Sequence, residues 1–288
     1  MSCPLIVIVG PTASGKSALA MRLASKFGGE IIAADSRTVY RGMDIGTAKP
    51  TKQDQHDIKH HLIDVVNPDQ KFSAADFKSR AEEAINEICS RGKLPIIVGG
   101  TGLYIDAVLF DYSFRLESDS EQRQALTKLT LKELQSKVQE LGIDLNNSDF
   151  NNPHRLIRAI ETSGMPTEKS ALRDNTLVIG LQVDREKLND RIKERAQKMF
   201  TDDLGEEVDN LLVAYPKDAP GLLDASYRSL ISYREGSLSK EDAINEVIKS
   251  HINLAKRQMT WFKRNPDINW IGHQEDTDKL VTSFLERL

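Results

Sequence analysis

The feature that most constrains this chain is a short apolar run that leads directly into a glycine-rich loop. Residues 5–9 are Leu-Ile-Val-Ile-Val, which predicts a strand buried on both faces of a parallel sheet. Residues 10–17 match the pattern G-x-x-x-x-G-K-S/T, and a helical pattern begins at residue 18. A strand, a phosphate loop and a helix in this order are typical of a P-loop α/β core.

The loop predicts a binding site for a diphosphate or triphosphate, including nucleotides such as ATP. Its glycines let backbone N–H groups converge, and the N-terminus of the following helix adds partial positive charge. Lys16 supplies a point charge, and the Ser17 hydroxyl is a candidate ligand of Mg²⁺. The predicted phosphate-binding residues are Gly10, Pro11, Thr12, Ala13, Ser14, Gly15, Lys16 and Ser17.

Further apolar runs alternate with helical patterns and predict a P-loop NTPase-like α/β core, a parallel sheet flanked by helices. Residues 30–34 end at Asp35, and residues 94–98 end in a glycine-rich turn that contains Thr101. Ligands of open α/β sheets lie beyond the carboxyl ends of the strands, so both residues are candidates for a site. Each also has a plainer interpretation: Asp35 as a loop acid or helix cap, and Thr101 as part of a tight turn.

Residues 116–171 are charged and helix-periodic, and they predict a small helical insertion domain. The core would then comprise residues 1–115 and 172–288, with C-terminal helices. Arg155 and Arg158 lie one helical turn apart in the insertion and could bind phosphates or form a solvated basic face. Arg191 and Arg195 also have two interpretations: they are lid arginines of a phosphoryl-transfer enzyme, or they belong to a solvent-facing helix.

The net charge is −4, so nucleic-acid binding would have to depend on local basic clusters. The densest cluster lies at residues 256–264, where four cations accompany Trp261 and Phe262. This composition suits phosphates and stacked bases, although the two aromatic residues could also pack in the core.

Cys3 and Cys89 are the only cysteines, which argues against a disulfide scaffold and against a cysteine zinc site. No charged segment precedes the apolar run at residues 5–9, and that run is too short for a signal peptide or a membrane span. We therefore expect a cytoplasmic protein without a membrane segment.

The phosphate loop alone leaves three classes of protein open. A nucleotide-driven motor or GTPase would need further motifs that have no convincing match here. A small-metabolite kinase fits better, since such kinases place an acid after the second strand and use lid arginines. A transferase that holds the diphosphate of a leaving group is the third possibility.

Six sequence blocks extend the pattern well beyond the phosphate loop. They are residues 10–17, 34–36, 40–50 (Y-R-G-M-D-I-G-T-A-K-P), 60–62, 98–104 and 255–262 (A-K-R-Q-M-T-W-F). Together they closely resemble the bacterial tRNA dimethylallyltransferases, or tRNA isopentenyltransferases. The resemblance covers nearly the whole chain, and a kinase would not share the blocks at residues 40–50 and 255–262.

The resemblance implies transfer of a dimethylallyl group from dimethylallyl diphosphate to N6 of an adenosine in tRNA. That adenosine lies directly 3′ of the anticodon in tRNAs that read codons beginning with U. Asp35 matches the general base, Thr101 the residue that holds the target base, and Lys16 the cation that stabilises the leaving diphosphate, with Mg²⁺ on Ser17. The target base would have to be extruded from its stack to reach them.

The resemblance also implies a tRNA partner bound through its anticodon stem-loop, and we expect the chain to act as a monomer. The matching tRNA-binding residues are Asp35, Ser36, Arg37, Thr38, Thr101, Arg123, His154, Arg155, Leu156, Ile157, Arg158, Tyr227, Arg228, Lys256, Arg257, Gln258, Trp261 and Lys263.

Two departures from the family pattern are visible. Ser226 stands where glycine is common, before Tyr227 and Arg228, and His251-Ile252 stand where Thr-Arg is common. A cation near the diphosphate or the tRNA is therefore expected to be missing or to be supplied elsewhere, for instance by Arg228 or Arg257. A P-loop metabolite kinase and a non-catalytic RNA-binding protein remain the alternative functions.

Overall fold

The apolar runs of the sequence form one parallel sheet in the computed structural model, which describes residues 3–114, 120–165, 168–272 and 275–288. Within these residues the sheet has six strands in the order β3-β2-β4-β1-β5-β6. The strands are β1 (Leu5–Val9), β2 (Gly29–Ala34), β3 (His60–His61), β4 (Leu94–Gly99), β5 (Thr176–Leu181) and β6 (Ile268–Ile271).

Helices connect the strands. They are α1 (Lys16–Phe27), α2 (Lys52–Asp57), α3 (Ala74–Ser90), α4 (Gly102–Leu109), α5 (Ser120–Thr127), α6 (Leu131–Glu140), α7 (Asn147–Phe150), α8 (Pro153–Glu161), α9 (Arg185–Met199), α10 (Asp202–Ala214), α11 (Ala225–Arg234), α12 (Lys240–Phe262) and α13 (Glu275–Leu285). A short 3₁₀ helix spans Pro220–Leu223. The predicted α/β fold with a parallel sheet is confirmed.

The chain divides into two units. The first consists of Met1–Leu109 and Leu172–Leu288 and contains the sheet, and the second is Phe110–Ala171. The boundary predicted between residues 115 and 116 lies outside the described residues.

Strand β1 is central because water reaches neither of its faces. All five of its side chains are fully buried, as expected for an apolar strand between two parallel neighbours. Ile6 and Ile8 pack against Leu19 and Leu23 of α1. The helix that follows the phosphate loop is thereby fixed to the sheet.

The register of the strands brings three loops to one edge of the sheet. Val9 pairs with Gly99, and Gly99 pairs with Ala34. The residues that follow these positions therefore start at the same level, and the backbone N–H of Thr101 donates to the carbonyl of Ala34 at 3.3 Å. This edge carries the phosphate loop, Asp35 and Thr101.

The second unit is a small helical body with its own apolar core. Leu126, Leu134 and Val138 pack against Leu156 and Ile157 of α8. Leu156 and Ile157 are almost completely buried, so our prediction that they contact tRNA is corrected: their side chains fill the core of this unit.

Cys3 and Cys89 form a disulfide bond across a sequence separation of 86 residues, with 6.2 Å between their Cα atoms. We expected no disulfide scaffold, and a single bond does not form one, but the bond itself was not predicted. The sequence contains no signal for the pair, because it forms only where the segment before β1 meets the end of α3. No helix among the described residues is long and apolar enough to cross a membrane.

Candidate active site

The phosphate loop leads into the N-terminus of α1, where polar groups are available to bind a ligand. Gly15 adopts a left-handed conformation with φ of 92°, and no side chain caps the helix N-terminus. The buried hydroxyl of Ser14 has no hydrogen-bond partner among the described residues. An anion at this position would satisfy both groups, since helix N-termini bind phosphates through their free N–H groups.

The side chain of Lys16 lies in the same loop, and its Nζ donates to the carbonyl of Pro11 at 3.1 Å. Burial lowers the pKa of Lys16 to about 8, an effect that Asp35 opposes and Arg195 reinforces. Desolvation disfavours the charged amine, so binding of an anion would stabilise its protonated form.

Asp35 and Thr101 are joined through the backbone that follows β2. The Asp35 carboxylate accepts from the backbone N–H of Arg37 at 2.8 Å. The Thr101 hydroxyl accepts from the backbone N–H of Ser36 at 3.0 Å. The two predicted catalytic residues therefore lie on adjacent loops in a fixed arrangement.

Two cavities meet at Asp35. The larger one, about 520 Å³, is lined by Thr101, Trp261 and other residues of the β4–α4 turn and α12. The smaller one, about 100 Å³, contains Lys16 and Ser17. The residues that line both are Thr12, Asp35, Thr47, Arg195, Leu254 and Gln258.

Arg195 is a site residue whose role the sequence left undecided. It is enclosed between the phosphate loop and the segment after β2, and its guanidinium donates to the hydroxyl of Thr12 at 3.5 Å and the carbonyl of Thr47 at 3.3 Å. It forms no ion pair with any residue that the structure describes, and its Nε has no partner there. Burial lowers its pKa, which Asp35 and Asp224 oppose. An enclosed cation without a carboxylate partner fits an anionic ligand.

Arg191, one turn earlier on α9, is exposed. The i,i+4 spacing of Arg191 and Arg195 therefore does not show that the two side chains lie in different environments. A helical-wheel comparison with the neighbouring Ile192 and Ala196, which are buried, is the only sequence signal that separates the two arginines.

Gln258 of α12 connects two loops of the site. Its Oε1 accepts from the backbone N–H of Thr12 at 2.8 Å, and its Nε2 donates to the carbonyl of Gly100 at 3.0 Å. A Cβ atom on Gly100 would lie 2.1 Å from this Nε2, so the close approach requires glycine. Gln258, predicted to bind tRNA, here holds the phosphate loop against the β4–α4 turn.

Trp261 lies three residues further along α12 and borders the larger cavity. Its Nε1 donates to Asp106 at 2.8 Å, and the Arg264 guanidinium lies 4.5 Å from the ring centre. The sequence left stacking on a base and core packing both open. The ring is half-buried, which is compatible both with stacking on a base and with packing in the core.

In the first unit, two predicted tRNA-binding residues lie below the surface. Tyr227 is fully buried, and its hydroxyl donates to Glu207 at 2.6 Å, so its prediction as a tRNA contact is corrected. Thr38 is buried in the wall of the smaller cavity. Its position there is closer to a phosphate site than to a surface for tRNA.

The remaining predicted residues of the first unit are accessible. Ser36, Arg37, Arg228 and Arg257 line the larger cavity. Lys256 on α12 and Lys263, directly after its last residue, are exposed. The Arg37 side chain lies 3.5 Å from the Asp224 carboxylate.

In the second unit, each of the three predicted arginines has a carboxylate neighbour. Arg155 pairs with Asp149, while Arg123 and Arg158 lie 3.6 and 3.5 Å from the buried carboxylate of Glu161. Their side chains remain 53%, 53% and 39% exposed in the order Arg155, Arg123, Arg158. They can therefore still reach phosphates, and His154 beside them is exposed too.

The departures from the family pattern fall in or beside the larger cavity. His251 lines it, and burial lowers the pKa of His251, which favours the neutral ring near pH 7. Ile252 packs against α9. Ser226 is fully buried, and its hydroxyl has no hydrogen-bond partner among the described residues.

Comparison with known proteins gives consistent matches over nearly the whole chain. Residues 38–265 match the family model of IPP transferase. A tRNA dimethylallyltransferase of Thermoanaerobacter sp. (strain X514) is 41% identical over 99% of this chain and 98% of its own length. One from Bacillus anthracis is 41% identical over 98% of this chain and 93% of its own length.

Solved structures agree. The tRNA isopentenylpyrophosphate transferase of Bacillus halodurans superposes with a TM-score of 0.77 at 33% identity, over 99% of this chain and 98% of that one. A eukaryotic dimethylallyltransferase acting on tRNA gives 0.79 at 25% identity, over 94% of this chain and 74% of that one.

Proposed function

Because this chain belongs to the IPP transferase family, we propose that it transfers a dimethylallyl group from dimethylallyl diphosphate to N6 of an adenosine in tRNA. The acceptor is the adenosine directly 3′ of the anticodon in tRNAs that read codons beginning with U. The observation that carries this proposal is the meeting of the two cavities at Asp35, with Lys16 on one side and Thr101 on the other.

The smaller cavity suits the diphosphate of the donor. Free N–H groups of α1, the Lys16 amine and the Arg195 guanidinium, which has no carboxylate partner among the described residues, converge on it. When the allylic C–O bond breaks, negative charge grows on the departing diphosphate. Preorganised donors stabilise that charge and lower the barrier.

The larger cavity suits an extruded adenine. Its volume of about 520 Å³ is ample for a nucleoside, and the half-buried Trp261 offers an aromatic wall. Asp35 then accepts a proton from N6 while the nitrogen forms its bond to the allylic carbon. Thr101 holds the base, since its hydroxyl lies on the adjacent loop.

Magnesium fits the donor set of this site. The Ser17 hydroxyl and the Asp35 carboxylate line the same small cavity, and oxygen ligands suit Mg²⁺. No cluster of three or more His, Cys, Asp or Glu side chains suited to a metal occurs in the described part of the chain. Ser17 would hold a magnesium ion through its hydroxyl, and the ion would neutralise charge on the leaving diphosphate.

The tRNA would be bound through its anticodon stem-loop by Arg37, Arg228, Arg257, Lys256 and Lys263 of the first unit. In the second unit, Arg123, His154, Arg155 and Arg158 would contribute. These cations form local clusters on a chain whose net charge is −4. We further propose that the enzyme acts as a monomer in the cytoplasm.

The test is a transfer assay with purified protein, Mg²⁺ and labelled dimethylallyl diphosphate. We expect label to appear in an unmodified tRNA that reads a U-starting codon, and none in a tRNA with another base at the acceptor position. Absence of transfer, together with ATP turnover that depends on a metabolite, would instead indicate a kinase. Retained tRNA affinity without turnover of either kind would indicate an RNA-binding protein.

A further inference from the structure

One carboxylate on α10 accepts an unusual number of hydrogen bonds. The Oε2 atom of Glu207 accepts from the backbone N–H groups of Asp44 and Ile45 at 2.9 and 2.8 Å. Its Oε1 accepts from the backbone N–H of Gly46 at 3.2 Å and from the Tyr227 hydroxyl at 2.6 Å. Four donors from two separate parts of the chain therefore converge on one side chain.

Three consecutive backbone N–H groups that point at one acceptor form an arrangement that binds anions. Here the protein fills it with its own carboxylate. Without an acceptor, these partly buried N–H groups would lose their hydrogen bonds, which is more costly than the net gain of making them. The conformation of residues 44–46 thus depends on Glu207.

The Tyr227 ring also packs against this segment, at Gly46. A Cβ atom on Gly46 would lie 2.5 Å from Cζ of the Tyr227 ring, so the segment packs directly against the ring. Burial, and then the neighbouring Glu207 carboxylate, raise the pKa of Tyr227, so the hydroxyl keeps its proton and remains a donor.

The segment held in this way leads to the candidate active site. The next residue, Thr47, offers its carbonyl to the Arg195 guanidinium at 3.3 Å, and both residues line the two cavities. On the far side, the buried Lys49 amine donates to the carbonyl of Tyr40 at 2.9 Å and to Asp64 at 2.6 Å. The segment between these anchors has little freedom to shift.

We propose that Glu207 is a positioning residue: it fixes residues 44–47 so that the Thr47 carbonyl holds Arg195 against the small cavity, and it thereby sets the affinity for a diphosphate. The contacts run without a break from Glu207 through three backbone N–H groups to Thr47 and Arg195. The identity of the diphosphate as that of a prenyl donor rests on the proposed function. The positioning role itself does not.

The test compares Glu207→Gln with the wild-type enzyme in binding of inorganic diphosphate, measured by calorimetry at a temperature where both are folded. The glutamine side chain keeps one oxygen that can accept hydrogen bonds. Its NH₂ group would face backbone N–H groups, which are also donors. We expect about tenfold weaker diphosphate binding and a similar fall in kcat/KM for dimethylallyl diphosphate, because small misplacements of a positioned group are costly. The dissociation constant for tRNA should not change.

The matched control is Glu30→Gln. Glu30 is also a buried carboxylate with several donors, namely His61, Arg91 and Lys93, but it lies near the amino end of β2 and lines neither cavity. This control should keep wild-type diphosphate affinity. Equal losses in both variants would overturn the proposal, since they would reflect general loss of stability. If Glu207→Gln fails to fold, Tyr227→Phe removes a single donor and should weaken diphosphate binding in the same direction by about threefold.

A double-mutant cycle with Arg195→Ala decides whether Glu207 acts through Arg195. We expect the double variant to bind diphosphate no more weakly than Arg195→Ala alone. Additive losses would overturn the proposal. Because the readout is binding of inorganic diphosphate, a protein that bound it normally but prenylated no tRNA would refute the proposed function and leave this test intact.

Discussion

At the scale of single residues, the site depends on a few side chains whose environments differ sharply. The Asp35 carboxylate has one backbone donor and borders both cavities. The Lys16 amine is withdrawn from water, and its pKa is lowered to about 8 by burial. An accessible carboxylate suits proton acceptance, and a desolvated cation suits a highly charged ligand.

We predict that Asp35→Asn reduces prenyl transfer by about 100-fold or more, since a positioned general base commonly contributes that much. The amide oxygen can still accept from the Arg37 N–H, so the loop and the tRNA affinity should be preserved. Single-turnover transfer and tRNA filter binding measure the two quantities. Normal turnover would remove Asp35 as the base.

A second residue-scale prediction concerns pH. Lys16 with a pKa of about 8 loses its charge as the pH rises through that value. We therefore expect kcat/KM for dimethylallyl diphosphate to fall above pH 8, because the free enzyme then lacks this cation. In Lys16→Arg the fall should move to higher pH, since guanidinium stays protonated. An identical profile for both proteins would contradict the assignment.

At the scale of elements, α11 shows how a helix can carry both a satisfied and an unsatisfied buried hydroxyl. Ser226 and Ser229 are both buried, but only the Ser229 hydroxyl finds an acceptor among the described residues, Glu246 at 3.1 Å. Ser226 is also the position where the family commonly has glycine. Burying this hydroxyl without a partner costs stability.

The two serines form a matched pair for mutation. Ser226→Ala should raise the free energy of unfolding by about 1 kcal/mol, because it removes a buried polar group without a partner. Ser229→Ala should lower it by about as much, since a hydrogen bond is lost. Urea unfolding of both variants checks the signs, and destabilisation of both would show that the Ser226 hydroxyl has a partner.

At the scale of the whole molecule, we assign different roles to the two units. We propose that the chemistry takes place in the first unit and that the second unit contributes part of the tRNA contact. Binding of a polyanion releases counterions, so each phosphate contact contributes to the dependence of affinity on salt.

We predict that Arg158→Ala weakens tRNA binding and lowers the slope of log K against log salt by about 1. Lys137→Ala, on an exposed face of α6 in the same unit, removes the same charge without a predicted contact and should leave the slope unchanged. Titrations at four or more salt concentrations measure it. Equal slopes in wild type and Arg158→Ala would count against the contact.

The disulfide between Cys3 and Cys89 also acts at this scale, because it closes a loop of 86 residues. A loop of that length is expected to stabilise the fold by about 4 kcal/mol relative to the reduced chain. Urea unfolding of the oxidised protein with and without dithiothreitol should show the difference. Cys89→Ser should behave alike in both conditions; a redox effect that persisted in it would have another origin.

The sequence by itself determined the phosphate loop, the parallel sheet and the candidates Asp35 and Thr101, because all depend on local pattern and on the rule that parallel strands end at one edge. The capping box of Ser73 and Asp76 at the start of α3 likewise depends only on two residue types at a fixed spacing. Residue identities at fixed spacing are sufficient for such features.

Only the tertiary structure decided which members of a pattern face which environment. Arg195 is half-buried beside the cavities while Arg191 is exposed. Tyr227, Leu156 and Ile157 are buried although they lie in motifs matched to tRNA contacts. The disulfide joins two cysteines that lie 86 positions apart in the sequence. The four donors to Glu207 come from a loop and from a separate helix. Such contacts follow from how elements pack, and packing depends on the whole chain rather than on any local spacing.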